Sequence, residues 1–276
     1  MLVTLNEVLL DAQKNGYAVG LFDTMDSDML QAVIEAAEAA KSPVIIGTAE
    51  SLLPYGSIPL LTSSEVDAAR AASVPVVLHY DHGGTYQHCL DALRLGYSSV
   101  MFDGSVLSFE ENIAQTAEIV KIAHAFGATV EGEIGHVGQA ADSDEEDLDR
   151  YTKVADAVRF VNETGVDALA VAIGTAHGAY KAKPKLDFNR LAEIRAAIPT
   201  PLVLHGGSGL SENDFRTAIA GGIAKINVFT DMCVAGENAM RETVGQGYLT
   251  IRNAKVDAMR EAVMKKMAIF GSCGRA

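Results

Sequence analysis

Tryptophan is absent from the chain, and aromatic residues make up only 6% of it. With aromatics this sparse the core is expected to be mainly aliphatic, and 49% hydrophobic residues over 276 positions supply enough apolar side chain for a large one. Cysteine is scarce as well: Cys89, Cys233 and Cys273 are widely spaced, odd in number and form no C-x-x-C pair. That argues against a disulfide framework and suits a reducing compartment, so a cytoplasmic location is expected. No segment approaches the ~18 uninterrupted apolar residues of a membrane span. The first residues, Met1-Leu-Val-Thr-Leu-Asn-Glu7, lack the basic stretch and apolar run of a secretory leader. Basic excess is missing too, with 22 Lys and Arg against 36 Asp and Glu and a net charge of −14. Such a field repels phosphate backbones, so nucleic acid is not an expected partner. A small phosphorylated substrate stays possible, because a local site can oppose the global field.

What is present is a repeated alternation of short apolar runs and longer helical patterns. The runs 18–22, 44–46, 76–78, 98–102, 129–133, 168–173, 201–204 and 224–228 are mostly apolar, as expected of strands buried on both faces of a parallel sheet. Between them lie helical segments. In the first, Leu30, Val33, Ile34 and Ala37 recur with helical spacing behind Ser27 as the expected N-cap. Further helices are expected from near Ser64, Tyr86, Phe109, Lys153, Phe188 and Glu212, and more than one between Asp231 and Phe270. About eight βα units in one chain of this length predict a single α/β domain over residues 1–276, a (β/α)8 TIM barrel. An open doubly wound sheet is the runner-up, disfavoured because no G-x-G-x-x-G follows the first strand. The longest irregular stretch, 135–151, is rich in acids and reads either as a functional loop or as a solvated one.

A TIM barrel carries its chemistry at the C-terminal ends of its strands. Four of the seven histidines fall just there: His79 and His82 in His-Tyr-Asp81-His-Gly, His177 in Gly-Thr-Ala-His-Gly, and His205 in His-Gly-Gly-Ser-Gly. Glu131 and Glu133 end the fifth strand, and Asn227 the eighth. His88, His124 and His136 fall in helices or loops and read as structural or surface residues. Three histidines meeting at the barrel mouth could hold a zinc ion with one position open, although each alone reads equally well as a polar loop residue. The run Gly206-Gly207-Ser208-Gly209 offers backbone N–H groups to a phosphate, or is simply a flexible turn.

The segments LHYDHG (78–83), EGEIG (131–135), AIGTAHGAYK (172–181), PKLDF (184–188), LVLHGGSG (202–209), KINV (225–228) and FGSCGRA (270–276) resemble the class II fructose- and tagatose-bisphosphate aldolases over nearly the whole chain. The resemblance implies a zinc enzyme, in some members with a monovalent cation as well, that cleaves a ketose phosphate to dihydroxyacetone phosphate and an aldehyde. It implies a homo-oligomer, dimer or tetramer. His82, His177 and His205 would bind the metal, with Glu131 beside it. Asp81 would move the proton on the aldehyde oxygen. Gly178, Gly206, Gly207, Ser208, Asn227, Val228, Phe229 and Thr230 would line the phosphate-bearing half. An enediolate-forming lyase or epimerase shares these features. A non-catalytic partner subunit should have lost Asp81 and the histidines.

The sequence departs from the family at the aldehyde half. F-N-x-x-N becomes Phe22-Asp23-Thr-Met-Asp26, a serine that meets the distal phosphate becomes Ala49, and a C-terminal D-P-R-K stretch has no counterpart. Asp23 and Asp26 are expected to accept hydrogen bonds from a neutral, hydroxylated aldehyde, which would not be glyceraldehyde 3-phosphate. The glutamate that moves the donor's C3 proton in the family aligns with Ala141, so Asp142, or an acid within 144–147, is expected to replace it.

Overall fold

The computed structural model describes residues 1–135, 137, 151–178 and 184–276. Its centre is a closed barrel of eight parallel strands: β2 (Val19–Asp23), β3 (Val44–Ala49), β4 (Val76–Gly83), β5 (Ser99–Phe102), β6 (Thr129–Ile134), β7 (Ala168–Val171), β8 (Leu202–Leu204) and β9 (Ile223–Asn227). Each pairs with its sequence neighbours, and β2 with β9 closes the ring. Nearly every residue of these strands is buried, because helices cover the outer face and side chains fill the inside. The helices are α2 (Ser27–Ala40), α3 (Ile58–Ala71), α4 (Tyr86–Leu95), α5 (Phe109–Ala125), α6 (Val154–Thr164), α7 (Phe188–Ala197), α8 (Glu212–Ala220), α9 (Thr230–Glu242) and α10 (Tyr248–Phe270). This is the (β/α)8 barrel expected from the alternation of patterns. Among the described residues no helix is long and apolar enough to cross a membrane.

Two elements come in addition. A two-residue strand, β1 (Leu2–Val3), pairs with Val76 and Val77 of β4. It leads into α1 (Leu5–Asn15), whose Leu5, Val8, Leu9 and Ala12 pack with Val19, Leu21, Val77 and Val203 of the barrel interior. This helix closes the N-terminal mouth, so the opposite end is the open one. Two helix starts also differ from expectation. Asp26, not Ser27, caps α2, accepting from the Met29 N–H at 2.8 Å. Helix α3 begins at Ile58 rather than Ser64, because Pro59 sits in its first turn, where a missing N–H costs no hydrogen bond.

Glu65 of α3 is fully buried against the barrel. It accepts from Thr24 Oγ1 at 2.5 Å and from the Tyr97 hydroxyl at 3.4 Å, yet burial outweighs these bonds and pushes its carboxyl up to about 7. The folded chain therefore holds this proton more tightly than the unfolded one. Stability is fully present below the ordinary carboxylate range and falls as the pH rises toward 7, by on the order of 3 kcal/mol in all. A Glu65→Gln variant should gain most of that at pH 8 and nothing at pH 4. Thermal melts at the two pH values check this, and an equal shift at both would exclude it.

Candidate active site

Period-two alternation decides what reaches the barrel interior. On β4 it turns Val77, His79 and Asp81 the same way, on β6 Glu131 and Glu133, and on β9 Lys225 and Asn227. His82 follows Asp81 with a positive φ of 49°, rare for a residue with a side chain, and this left-handed kink swings its ring over the mouth. His177 and His205 come from beyond β7 and β8. The loops that carry them are pressed together: Gly206 has a φ of 67°, and a Cβ there would lie 2.3 Å from the Ala176 carbonyl oxygen. Only glycine fits.

The three rings meet with centroids 4.5 Å (His82–His205), 4.8 Å (His82–His177) and 5.7 Å (His177–His205) apart. His82 Nε2 and His205 Nδ1 face each other at 2.8 Å. Their other nitrogens are held by carboxylates: His82 Nδ1 is 2.8 Å from Asp103 Oδ2, and His205 Nε2 is 2.7 Å from Glu131 Oε1. A carboxylate behind an imidazole fixes its tautomer and aims the second nitrogen, the usual support of a metal-binding histidine. Two nitrogens at hydrogen-bonding distance must share a proton, which a metal would displace. Burial opposes charge on His82, but Asp81, Asp103 and Glu133 outweigh it and raise it to about 10. Burial and the charge of His82 push His177 down to about 3 and His205 below the ordinary histidine range. The three ligand nitrogens lie within 4.8 Å of one another, so the residues fit a metal.

Asp81 is held from the side by Asn227 Nδ2, 3.2 and 3.0 Å from its two oxygens. Burial disfavours its charge, but His82 and Lys225 overcome that and keep it an ionised carboxylate. Glu131 lies behind His205 rather than among the three rings, its second oxygen 2.7 Å from Lys225 Nζ. Glu133 is pushed up to about 8 by burial and by Asp103, and its Oε2 has no hydrogen-bond partner among the described residues.

A cavity of about 430 Å³ opens onto His82, His177 and Asp81, while the fully buried His205 lies behind its lining. Asp23, Asp81, His82, His177, Gly178, Gly206, Gly207, Ser208, Asn227, Phe229 and Thr230 line it. Val228 does not; its side chain is in the core and its N–H donates to the Leu21 carbonyl. Asp26 is also elsewhere, capping α2 with Oδ2 3.3 Å from Lys255 Nζ. Asp142 and the acids within 144–147 lie outside the described residues. So does His136, whereas His88 pairs with Glu50 and His124 with Asp167 on the surface side of the barrel. Ser51, Leu52 and Asp103 line the cavity without having been expected. Asp103 directly follows β5, where the strand-end rule applies as well as it does to the histidines. Ser51 enters on a 3-10 turn, Glu50–Leu52, that the sequence does not announce.

Comparison with known proteins agrees with this geometry. The family described as fructose-bisphosphate aldolase class-II matches residues 3–275. A fructose-bisphosphate aldolase of Thermus caldophilus is 42% identical over the full length of both chains. One from Staphylococcus aureus is 38% identical over all of this chain and 99% of its own. The crystal structure of the YdjI aldolase from Escherichia coli superposes with a TM-score of 0.92 at 39% identity, covering all of both chains. With the histidine cluster, the Asp81–Asn227 pair and the glycine loop at the mouth of a (β/α)8 barrel, the chain belongs to the class II fructose-bisphosphate aldolase family.

Proposed function

We propose that the protein is a zinc-dependent aldolase that reversibly cleaves a ketose phosphate to dihydroxyacetone phosphate and an aldehyde other than glyceraldehyde 3-phosphate. The observation that carries this reading is the convergence of His82 Nε2 and His205 Nδ1 beside His177, each backed by a carboxylate, next to Asp81. Three imidazoles with one side open suit zinc. When bound, zinc would supply the Lewis acid that polarises the ketose carbonyl. The proton work belongs to the chain. Breaking the C3–C4 bond leaves its electron pair on the donor fragment, while the C4 hydroxyl becomes a carbonyl and loses its proton. Asp81, ionised and oriented by Asn227, takes that proton and returns it during condensation. The donor phosphate fits the loop Gly206–Ser208 and the N-terminus of α9, where backbone N–H groups and the helix dipole favour an anion. Gly178, Phe229 and Thr230 line the same cavity and belong to this half by resemblance. The C3 proton falls to Asp142 or a neighbouring acid.

The aldehyde half has a different character. Among the described lining residues are three aspartates, Asp23, Asp81 and Asp103, and neither lysine nor arginine. Asp23 is 5% exposed, and its Oδ1 has no hydrogen-bond partner among the described residues. A hydroxyl of the aldehyde would satisfy that oxygen. Burial and the charge of Asp81 push the Asp23 carboxyl well above the ordinary range, and a second phosphate would meet no lysine or arginine among the described lining residues to supply charge-assisted bonds, about 1.5–3 kcal/mol each.

In D2O, the C3 proton of dihydroxyacetone phosphate should exchange in a chelator-sensitive way, followed by NMR. Zinc-loaded protein without exchange would sink the donor assignment. Cleavage of fructose 1,6-bisphosphate with a kcat/KM above about 10⁴ M⁻¹ s⁻¹ would sink the aldehyde assignment.

A further inference from the structure

Just below the histidines the barrel interior turns polar, at a depth where such barrels usually stack aliphatic side chains. His79, Ser99, Glu131 and Lys225 occupy this layer, and all are fully buried. Lys225 Nζ lies 2.7 Å from Glu131 Oε2 and 3.9 Å from Asp81 Oδ1, as a contact between charges rather than an aligned hydrogen bond. Each carboxylate has a second engagement. Glu131 Oε1 meets His205 Nε2, and Asp81 receives the Asn227 amide. His79, whose Nδ1 is 2.8 Å from Ser99 Oγ, stands 3.5 Å from Asp81 and 3.7 Å from Glu131. One ammonium thus faces two buried carboxylates, one behind a candidate metal ligand and the other beside the reacting bond.

We infer that Lys225 is a positioning residue serving both halves of the reaction. Through Glu131 it fixes His205 with Nδ1 turned toward the ligand cluster. Directly, it holds the Asp81 carboxylate in place for the C4 proton. The inference rests on the aldolase reading above. The competing view is that Lys225 only neutralises Glu131 so that the barrel can fold. The two differ in what happens when both charges are removed together, since the competing view leaves Asp81 unaffected.

Lys225→Met keeps the apolar stem and removes the cation. Glu131→Gln keeps an acceptor for His205 and removes the anion. Zinc affinity is read by chelator competition. The donor half-reaction is read by C3 proton exchange of dihydroxyacetone phosphate, and the full reaction by its condensation with glyceraldehyde. Lys225→Met should lose about 10–100-fold in zinc affinity, as expected for disturbing the support of a metal ligand, and about 100-fold in condensation at saturating zinc. The double variant Lys225→Met/Glu131→Gln should melt near the parent and recover zinc affinity and proton exchange. Its condensation rate should stay about 100-fold down with KM for the aldehyde unchanged, because Asp81 still lacks its cation. Recovery of condensation together with exchange would overturn the inference and leave Lys225 a structural residue. Unchanged zinc affinity and condensation in Lys225→Met would overturn it as well. If that single variant does not fold, the charge-balanced double variant decides alone. Failure of the aldolase reading would look different: zinc-loaded parent protein would catalyse no exchange, and the chelator titrations would still report on His205.

Discussion

Bound metal and aldolase turnover should be lost together in a His205→Ala variant. His205 is fully buried and stands between two partners, Glu131 Oε1 at 2.7 Å on one nitrogen and His82 Nε2 at 2.8 Å on the other. Neither of the other potential ligand groups among the described residues, His79–Asp81–Glu131 and His82–Asp103–Glu133, brings His82 and His177 together. Removing the ring deletes one of the three proposed ligands and frees Glu131 from the bond that orients it. Zinc affinity should fall by at least about a hundredfold, beyond what supporting residues cost, and turnover should become undetectable. Stability should drop by about 1–3 kcal/mol, since a buried acceptor is left unsatisfied. Metal analysis after gel filtration, alongside the condensation assay, reads both effects. Stoichiometric, tightly held zinc in the variant would place the metal elsewhere.

The second large effect separates proton transfer from metal binding. Asp81→Asn should slow condensation by about 10²–10⁴-fold, the range for removing a positioned general acid–base. Zinc should stay bound, because His82, His177 and His205 are untouched. Exchange of the donor's C3 proton should persist, because Asp81 acts on the other fragment's oxygen. Asparagine keeps the size of the side chain, and its oxygen can still accept from Asn227 Nδ2, so the wall of the cavity need not collapse. If condensation and exchange fall in parallel, Asp81 is serving the metal or the donor instead. The aldehyde proton would then belong to another group.

The sequence disclosed the barrel because its strands are apolar on both faces, a pattern that survives without knowledge of pairing. It disclosed His82, His177 and His205 because one rule, polar residues just past strand ends, selects them all. Other features depend on information carried by no single segment. The pairing of Lys225 with Glu131 needs the register of β6 and β9, strands distant in sequence. Ser51 reaches the cavity through a short turn with no compositional mark. Asp103 satisfies the same strand-end rule, but only its 2.8 Å approach to His82 gives it a role. Asp26 was legible as an acid near the mouth, yet a helix N-terminus and Lys255 claim it. Helix α1 precedes the first repeat unit, so the alternation of patterns does not include it.

The close seating of Gly206 on the Ala176 carbonyl bears on how this scaffold could be altered. His177 and His205 stand on separate loops, but any side chain introduced at Gly206 would force both loops apart. The two segments therefore behave as one inheritable unit. Exchanging the loop after β8 for that of a distant relative should succeed only when the loop after β7 travels with it. Diversity is better sought at Asp23, Ala49 and Ser51, which line the cavity without belonging to the two histidine-bearing loops after β7 and β8.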